Sequence, residues 1–396
     1  MNLGNLKSNG RSVSMVWIIA GGLAIILGGL LLATLTPALF PTQGSVQAQQ
    51  VDNLFRFMLV IGGAIFLLVN GVLLFSVLRF RAPKGDLSDG PPVQGNTTLE
   101  FIWTLIPAII VAVLTLYSYQ VWTAIRAPQP NEQQVNVIGQ QFAWTFNYDI
   151  SPDSLPEGVA VEQLPEAVRA VYDAGQSVSF SSSQLHTWVG KTVHVILDTE
   201  DVNHAFWIPG MRIKQDLLAG RETDIRFTPI EPGVYRIVCA ELCGSGHGNM
   251  AGSVSADGAL QGAWLVVHPD EETFLREFFN PEAQSVLFPP EDPVELGRQI
   301  LASGRYPCAT CHTLGSLNWT GNLAPNLNGI GTRAANRVGG MTAEEYIHDS
   351  IRHPGDYLVA GFPNIMPPFN PEPDQSNYMP ESDLQAIVAF LLTETQ

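Results

Sequence analysis

The sequence predicts a multidomain membrane protein: N-terminal transmembrane α-helices, then a small β-barrel or β-sandwich, then a C-terminal all-α domain. Three observations carry this expectation. Two long uncharged apolar stretches lie between Arg56 and Arg79 and between Glu100 and Arg126. Short β-rich runs broken by Gly and Pro extend from Val135 to about His268, and helical periodicity takes over after a Pro- and acid-rich stretch at 281–293. With 396 residues and 46% hydrophobic side chains, the chain is long enough for such an arrangement.

The stretch Phe57 to Leu78 and the stretch from about Phe101 to Thr123 are each long enough to cross a hydrocarbon core of ~30 Å as a helix. Pro107 falls near the start of the second, where a missing N–H costs least. The loop between them carries Arg79, Arg81 and Lys84, which places it in the cytoplasm and everything after Thr123 on the extracytoplasmic side. A further apolar stretch, Val16 to Leu35, follows Lys7 and Arg11 and precedes Ser-Val-Gln-Ala48, so residues 1–48 are either a signal peptide or an extra transmembrane helix. Localisation is therefore expected in a bacterial cell membrane, with several spans.

Charge divides along the same line. Residues up to Thr123 hold six Lys/Arg against four acids, and the remaining 273 hold 14 basic and 33 acidic side chains, net −19. An extracytoplasmic part this acidic repels nucleic acid and favours a basic macromolecular partner.

The β-rich runs are Val135–Ile138, Phe142–Tyr148, Thr192–Leu197, Ala205–Ile208, Asp224–Thr228, Val234–Cys239 and Trp264–Val267. The stretch Ser151–Ser183 interrupts them and reads as an insertion with a short helix near Gln163–Ala174. Glu295–Ser303 and Glu381–Thr393 are amphipathic helices; the second places Leu384, Ile387, Val388 and Leu391 on one face. The expected parts are thus 52–125 for the helical hairpin, 126–280 for the β-domain, 281–293 for a linker and 294–396 for the helical domain.

All four cysteines fall into two ligand strings. Cys239, Glu241, Cys243, His247 and Met250 lie within twelve residues, and His204 stands 35 residues upstream at a strand end. Soft thiolate, imidazole and thioether donors suit copper. A blue single-copper site uses one thiolate, whereas two bridging sulfurs hold a copper pair that shares one electron. His204 and His247 would each cap one copper, with Met250 on one and the Glu241 carbonyl on the other. A structural zinc site of two Cys and two His normally draws on paired clusters in a small finger, which this arrangement does not provide.

In Cys308-Ala-Thr-Cys311-His312 the thiols can form thioethers to a haem while His312 binds the iron, the attachment pattern of a c-type haem. Met341, Met366 and Met379 are candidates for the opposite face, where a thioether raises the potential. Met366 is the choice, because Pro363-Asn-Ile-Met366-Pro-Pro-Phe369 holds it on a proline-stiffened loop between the helices, with packing explaining the other two. His348 and His353 read as helix surface, and His186, His194 and His268 as strand edges.

Val202-Asn-His204-Ala-Phe-Trp-Ile-Pro209, Pro232-Gly-Val-Tyr235, the string Cys239 to Met250 and Glu100-Phe-Ile-Trp103-Thr-Leu-Ile-Pro107 together resemble subunit II of haem–copper cytochrome c oxidases over roughly residues 52–270. The resemblance implies a cupredoxin domain with a dinuclear copper A centre that passes electrons to the haem of subunit I, where oxygen is reduced to water and protons are pumped. It also implies a magnesium or manganese ion at the side chain of Glu241, a subunit III, and an external electron donor such as a small cytochrome. In Gly139-Gln-Gln-Phe142-Ala-Trp144 the family commonly has tryptophan at the position of Phe142, where electrons enter, so Phe142 and Trp144 are the candidate electron path. The C-terminal part resembles class I cytochromes c, in which the carbonyl of Pro325, within Ala324-Pro325-Asn-Leu327, would orient His312. A copper A nitric oxide reductase subunit, nitrous oxide reductase or a stand-alone membrane electron shuttle would share parts of this pattern. The membrane hairpin and the absence of a histidine-rich domain argue against nitrous oxide reductase.

Overall fold

The computed structural model describes residues 15–35, 40–81, 85, 95–254, 258–372 and 375–396. The expected topological charges Lys7, Arg11 and Lys84 lie outside them. Among the described residues, three apolar helices come first: Met15–Thr34, Val46–Arg79 and Thr97–Arg126. The last two have the length and apolarity to cross a membrane, and Leu78, Phe66 and Leu116 on them are largely exposed, as lipid-facing side chains are. Pro107 sits inside the third helix.

The residues around the expected processing site are part of a folded unit. Ser45 Oγ donates to the carbonyl of Met211 and accepts from the N–H of Ala48, and Gln47 Oε1 accepts from the N–H of Thr228. Ser45 and Ala48 are fully buried. Cleavage after Ala48 would strip these partners from buried backbone groups.

The unit formed by residues 43–48 and 126–396 contains a β-sandwich. Its larger sheet has the order Val178–Ser182, Ala143–Ile150, Gln133–Gln140, Val193–Thr199, Thr223–Phe227, with only the central pair parallel. On two inner strands Val135 and Val137, and Val193, Val195 and Leu197, alternate inward and are buried. Two three-stranded sheets face it. One joins Val238–Cys239, His204–Ile208 and Ile213–Leu217, and the other joins Leu185–Trp188, Trp264–His268 and Gly233–Arg236. Phe146, Phe180, Phe206 and Phe227 fill the space between.

Four expectations change. The run Val234–Cys239 is two strands: the chain breaks at the fully buried Ile237 and moves from one small sheet to the other, which brings Cys239 opposite Phe206 on the strand that starts at His204. Val178–Ser182 belongs to the sheet rather than to an insertion, although the helix Glu166–Asp173 interrupts as expected. Leu185–Trp188 and Ile213–Leu217 are additional strands, too short and too polar in pattern to stand out. The linker shrinks, because helical structure runs from Glu271 through a π-helical turn at Leu275–Phe279 to Leu287; Phe278, Phe279, Ala283 and Leu287 bury that helix against the sandwich.

The C-terminal part is helical, with one two-residue ladder between Thr313–Leu314 and Trp319–Thr320. Pro293–Ser303 starts with Asp292 accepting from the N–H of Val294 and with Pro at the first position, and stops at Gly304 in the left-handed region. It crosses Glu381–Thr393 at Gly297, where a Cβ would lie 1.9 Å from the carbonyl oxygen of Ala386. Any side chain there overpacks the crossing, at a cost of about 1–3 kcal/mol. Leu384, Ile387, Val388 and Leu391 are all buried as their spacing predicts.

N-terminal sequencing of the mature chain is expected to find Ser45 to Ala48 present. A mature N-terminus at residue 49 would contradict the packing of Ser45 and Gln47.

Candidate functional site

The sheet switch at Ile237 and the short turn His247–Met250 gather one donor set. His204 Nδ1 lies 3.8 Å from Cys239 Sγ, and the carbonyl oxygen of Glu241 lies 3.1 Å from the same sulfur. Cys243 Sγ lies 3.5 Å from His247 Nδ1 and 3.4 Å from Met250 Sδ. The ligand atoms of His204, Cys239 and Cys243 all fall within 4.8 Å of one another, and the three residues are buried. Each sulfur thus has its own imidazole and one further donor, so the set divides into two similar halves around two thiols.

Two residues that the sequence did not single out complete the surroundings. Asp201 Oδ1 sits 2.9 Å from His204 Nε2, which leaves Nδ1 to face the sulfurs. Its other oxygen accepts the N–H of Gln141, whose side-chain amide donates to the carbonyl of Cys243. Asp201 stands three residues before His204, a spacing that could have drawn attention to it; nothing local marks Gln141.

The electrostatics of the pair are asymmetric. Burial opposes ionisation of Cys239, but hydrogen bonds from His204 and from backbone groups outweigh it and lower its pKa. Burial and then the neighbouring Cys239 push Cys243 well up. For His204 burial works against the charged form, yet the bonds to Asp201 and Cys239 prevail and raise it to about 9. The surroundings thus favour the ionised form at Cys239 and oppose it at Cys243.

Phe142 is not on the strand expected for it. Gln141 and Phe142 form the two-residue turn of the hairpin between Gln133–Gln140 and Ala143–Ile150. The Phe142 ring is buried against Gly244 and Gly246, where a Cβ would clash with it, so these glycines are what let the loop of Cys243 close over the ring. Trp144 packs edge-on against His204 and Phe206, with ring centroids 5.9 and 5.5 Å away.

A second site lies in the helical part. Cys308–Cys311 is a single helical turn, and the N–H of His312 returns to the carbonyl of Cys308. His312 Nδ1 is 2.7 Å from the carbonyl oxygen of Pro325, so Nε2 is left free for another partner. Cys308, Cys311, His312 and Met366 all line one apolar pocket, together with Trp319, Tyr346 and Phe362. Met341, Met379, His348 and His353 do not line it; Met379 is core, and His348 pairs with Glu381 on the surface. Burial pushes Cys308 up to about 12, raises Cys311 and lowers His312, the last against the bond to Pro325. Gln141 and Phe142 also line this pocket. His186 and His268 form a separate pair with ring nitrogens 3.1 Å apart, and His186 stacks on Phe278.

A membrane-anchored cupredoxin-like domain with a two-thiol, two-imidazole donor set defines a class of electron-transfer protein. Residues 33–121 match the transmembrane domain of cytochrome c oxidase subunit II, and residues 133–256 match its periplasmic domain. Cytochrome c oxidase subunit 2 of Synechocystis sp. is 31% identical over 275 residues, covering 64% of this chain and 82% of that one. The subunit 2 of Alkalihalophilus pseudofirmus is 28% identical over 352 residues, 87% of each chain. Among solved structures, the periplasmic domain of subunit II from Bradyrhizobium japonicum is similar, with 19% identity, a TM-score of 0.26, and coverage of 39% of this chain and 98% of that one. The chain belongs to the cytochrome c oxidase subunit II family. It is accordingly an oxidoreductase subunit of a haem–copper oxidase complex, anchored in the membrane beside subunit I, with its cupredoxin-like domain on the periplasmic side. Membership implies a copper A site, and the cluster of His204, Cys239 and Cys243 is compatible with one.

In the metal-free chain, iodoacetamide at pH 7.5 is expected to modify Cys239 ahead of Cys243, as read by peptide mass mapping. The opposite order would contradict the asymmetry.

Proposed function

We propose that this subunit carries its own electron donor: a covalent haem c in the C-terminal domain, residues 294–396, feeding copper A in the β-domain, residues 126–280. Electrons would pass from an external donor, such as a small basic cytochrome, to the haem, then to copper A, and on to subunit I, which reduces oxygen to water with proton translocation. The observation that carries this reading is the Gln141-Phe142 turn. Its two side chains line the C-terminal pocket while contacting the loop of Cys243, Gly244 and Gly246.

The donor sets fit these groups. Cys308 and Cys311 would form the thioether links, His312 and Met366 would hold the iron, and Pro325 would orient the imidazole. His204, Cys239, the Glu241 carbonyl, Cys243, His247 and Met250 would hold the copper pair. When bound, each centre takes up and releases one electron. The protein's own part is to keep the thiolates dry, hold His204 through Asp201, and hold the two sites together. The side chain of Glu241, which is exposed, would bind a magnesium or manganese ion shared with subunit I, and subunit III would complete the complex.

Tethering raises the effective concentration of the donor domain to the order of millimolar for a short flexible connection, and only Phe288 to Asp292 separate the flanking helices here. Such a donor relaxes the need for tryptophan at position 142.

Three outcomes are expected. Cys308→Ser with Cys311→Ser abolishes haem staining on a denaturing gel while copper binding persists; staining that survives contradicts the assignment. Asp201→Ala weakens copper binding by about 10–100-fold in competition titrations, as loss of a partner to a ligating imidazole does. Phe142→Trp leaves the haem-to-copper transfer rate within a few-fold of wild type in flash photolysis, whereas a large gain would show that the phenylalanine limits entry.

A further inference from the structure

The hairpin of Thr313–Leu314 with Trp319–Thr320 is fixed to the Cys308–Cys311 turn. The N–H of Ala324 donates to the carbonyl of Cys311, and a Cβ at Gly321 would lie 2.6 Å from the carbonyl oxygen of Ala309. Trp319 is buried in this hairpin. Among the described residues it is the one aromatic side chain that lines both the apolar pocket of Cys308 and His312 and a second crevice. Met250 and Trp144 line that crevice from the sandwich, Ala309 and Thr310 from the helical part. Because the Trp144 ring packs on His204, the crevice separates the turn that carries Cys308 from the backs of two donor residues, His204 and Met250.

One side chain of the sandwich grips both neighbours of Trp319. Gln261 Nε2 donates to the carbonyl of Asn318, and Gln261 Oε1 accepts from Thr320 Oγ1 at 2.5 Å. Gln261 is itself held. Its strand, Leu260–Gln261, pairs with Ser253–Val254, which begins three residues after Met250, and the indole N–H of Trp264 donates to the carbonyls of Ser253 and Gln261. Elsewhere on the same contact the N–H of Asn377 donates to Glu200 Oε2 at 3.3 Å, and Gly304 meets Ser183. Three separate points define one pose, which a flexible tether alone does not. We propose that Gln261 docks the C-terminal domain on the β-domain, holding Trp319 and the Cys308–Cys311 turn against the crevice of Met250 and Trp144. This rests on the haem c and copper A reading above and deepens it: Gln261 is a positioning residue that replaces an encounter between tethered domains with transfer inside a docked pair. The step moves one electron from ferrous haem to the oxidised copper pair and makes no bond, so the separation and packing of the two sites govern its rate. Two hydrogen bonds of ordinary strength are enough to shift the balance between docked and undocked forms by about tenfold.

The test compares the full-length, haem- and copper-loaded chain with its Gln261→Ala variant. Hydrogen exchange read by mass spectrometry is expected to speed up by about tenfold in the strands Trp319–Thr320 and Leu260–Gln261. Haem-to-copper transfer in flash photolysis is expected to slow and to become dependent on solvent viscosity, with both midpoint potentials unchanged. Thr320→Val is expected to have a smaller effect and to add nothing in the double variant, because its partner is already gone. Exchange at wild-type speed, transfer that keeps its rate and its indifference to viscosity, or additive effects in the double variant overturn the proposal. A pyridine haemochrome spectrum without thioether-bound haem overturns the haem assignment instead, while the exchange comparison, which needs no haem, still decides the docking.

Discussion

Two thiols held side by side in a dry loop cannot both ionise unless a cation sits between them. That constraint organises the β-domain. Cys239 is placed by the strand that changes sheets at Ile237, His204 by the neighbouring strand, and Cys243, His247 and Met250 by the loop that follows. The large sheet supplies rigidity, and its buried Phe146 and Phe206 back the ligands from inside. Asp201 and Gln141 then tie the ligands from outside. The fold brings in donors from distant parts of the chain, so the site exists only when the sandwich is closed.

The C-terminal helices meet this domain through polar and apolar contacts of modest size. Thr320 Oγ1 lies 2.5 Å from Gln261 Oε1, and the N–H of Asn377 reaches Glu200. Gly304 fits against Ser183, and the Gln141-Phe142 turn closes part of the pocket wall. Few direct bonds and one shared apolar wall would suit the donor role proposed for this part of the chain. The acidic surface of the region is also the right sign for a basic donor.

Much of this was legible in the sequence because its strongest signals are local. The ligand strings lie within twelve and five residues, and the membrane stretches are simple absences of charge. Helix Glu381–Thr393 follows from its hydrophobic period alone. Position in the three-dimensional site was less legible. Phe142 reads as the start of a strand, and only the pairing of Gln140 with Ala143 shows it to be a turn. The strand break at Ile237 is hidden in a continuous β-rich run, because tertiary pairing and not local preference decides where it splits. The linker was read from proline and acid content, yet Pro281 occupies the first turn of a helix, where proline is tolerated. Asp201 carries no motif, and only its 2.9 Å distance to His204 reveals it.

The most direct test of the account is electron paramagnetic resonance of the oxidised chain, purified without subunit I, beside its copper and haem content. Two coppers for each covalent haem are expected, with a hyperfine pattern from one unpaired electron shared equally by two copper nuclei. A pattern from a single copper nucleus, or zinc in place of copper, would contradict it.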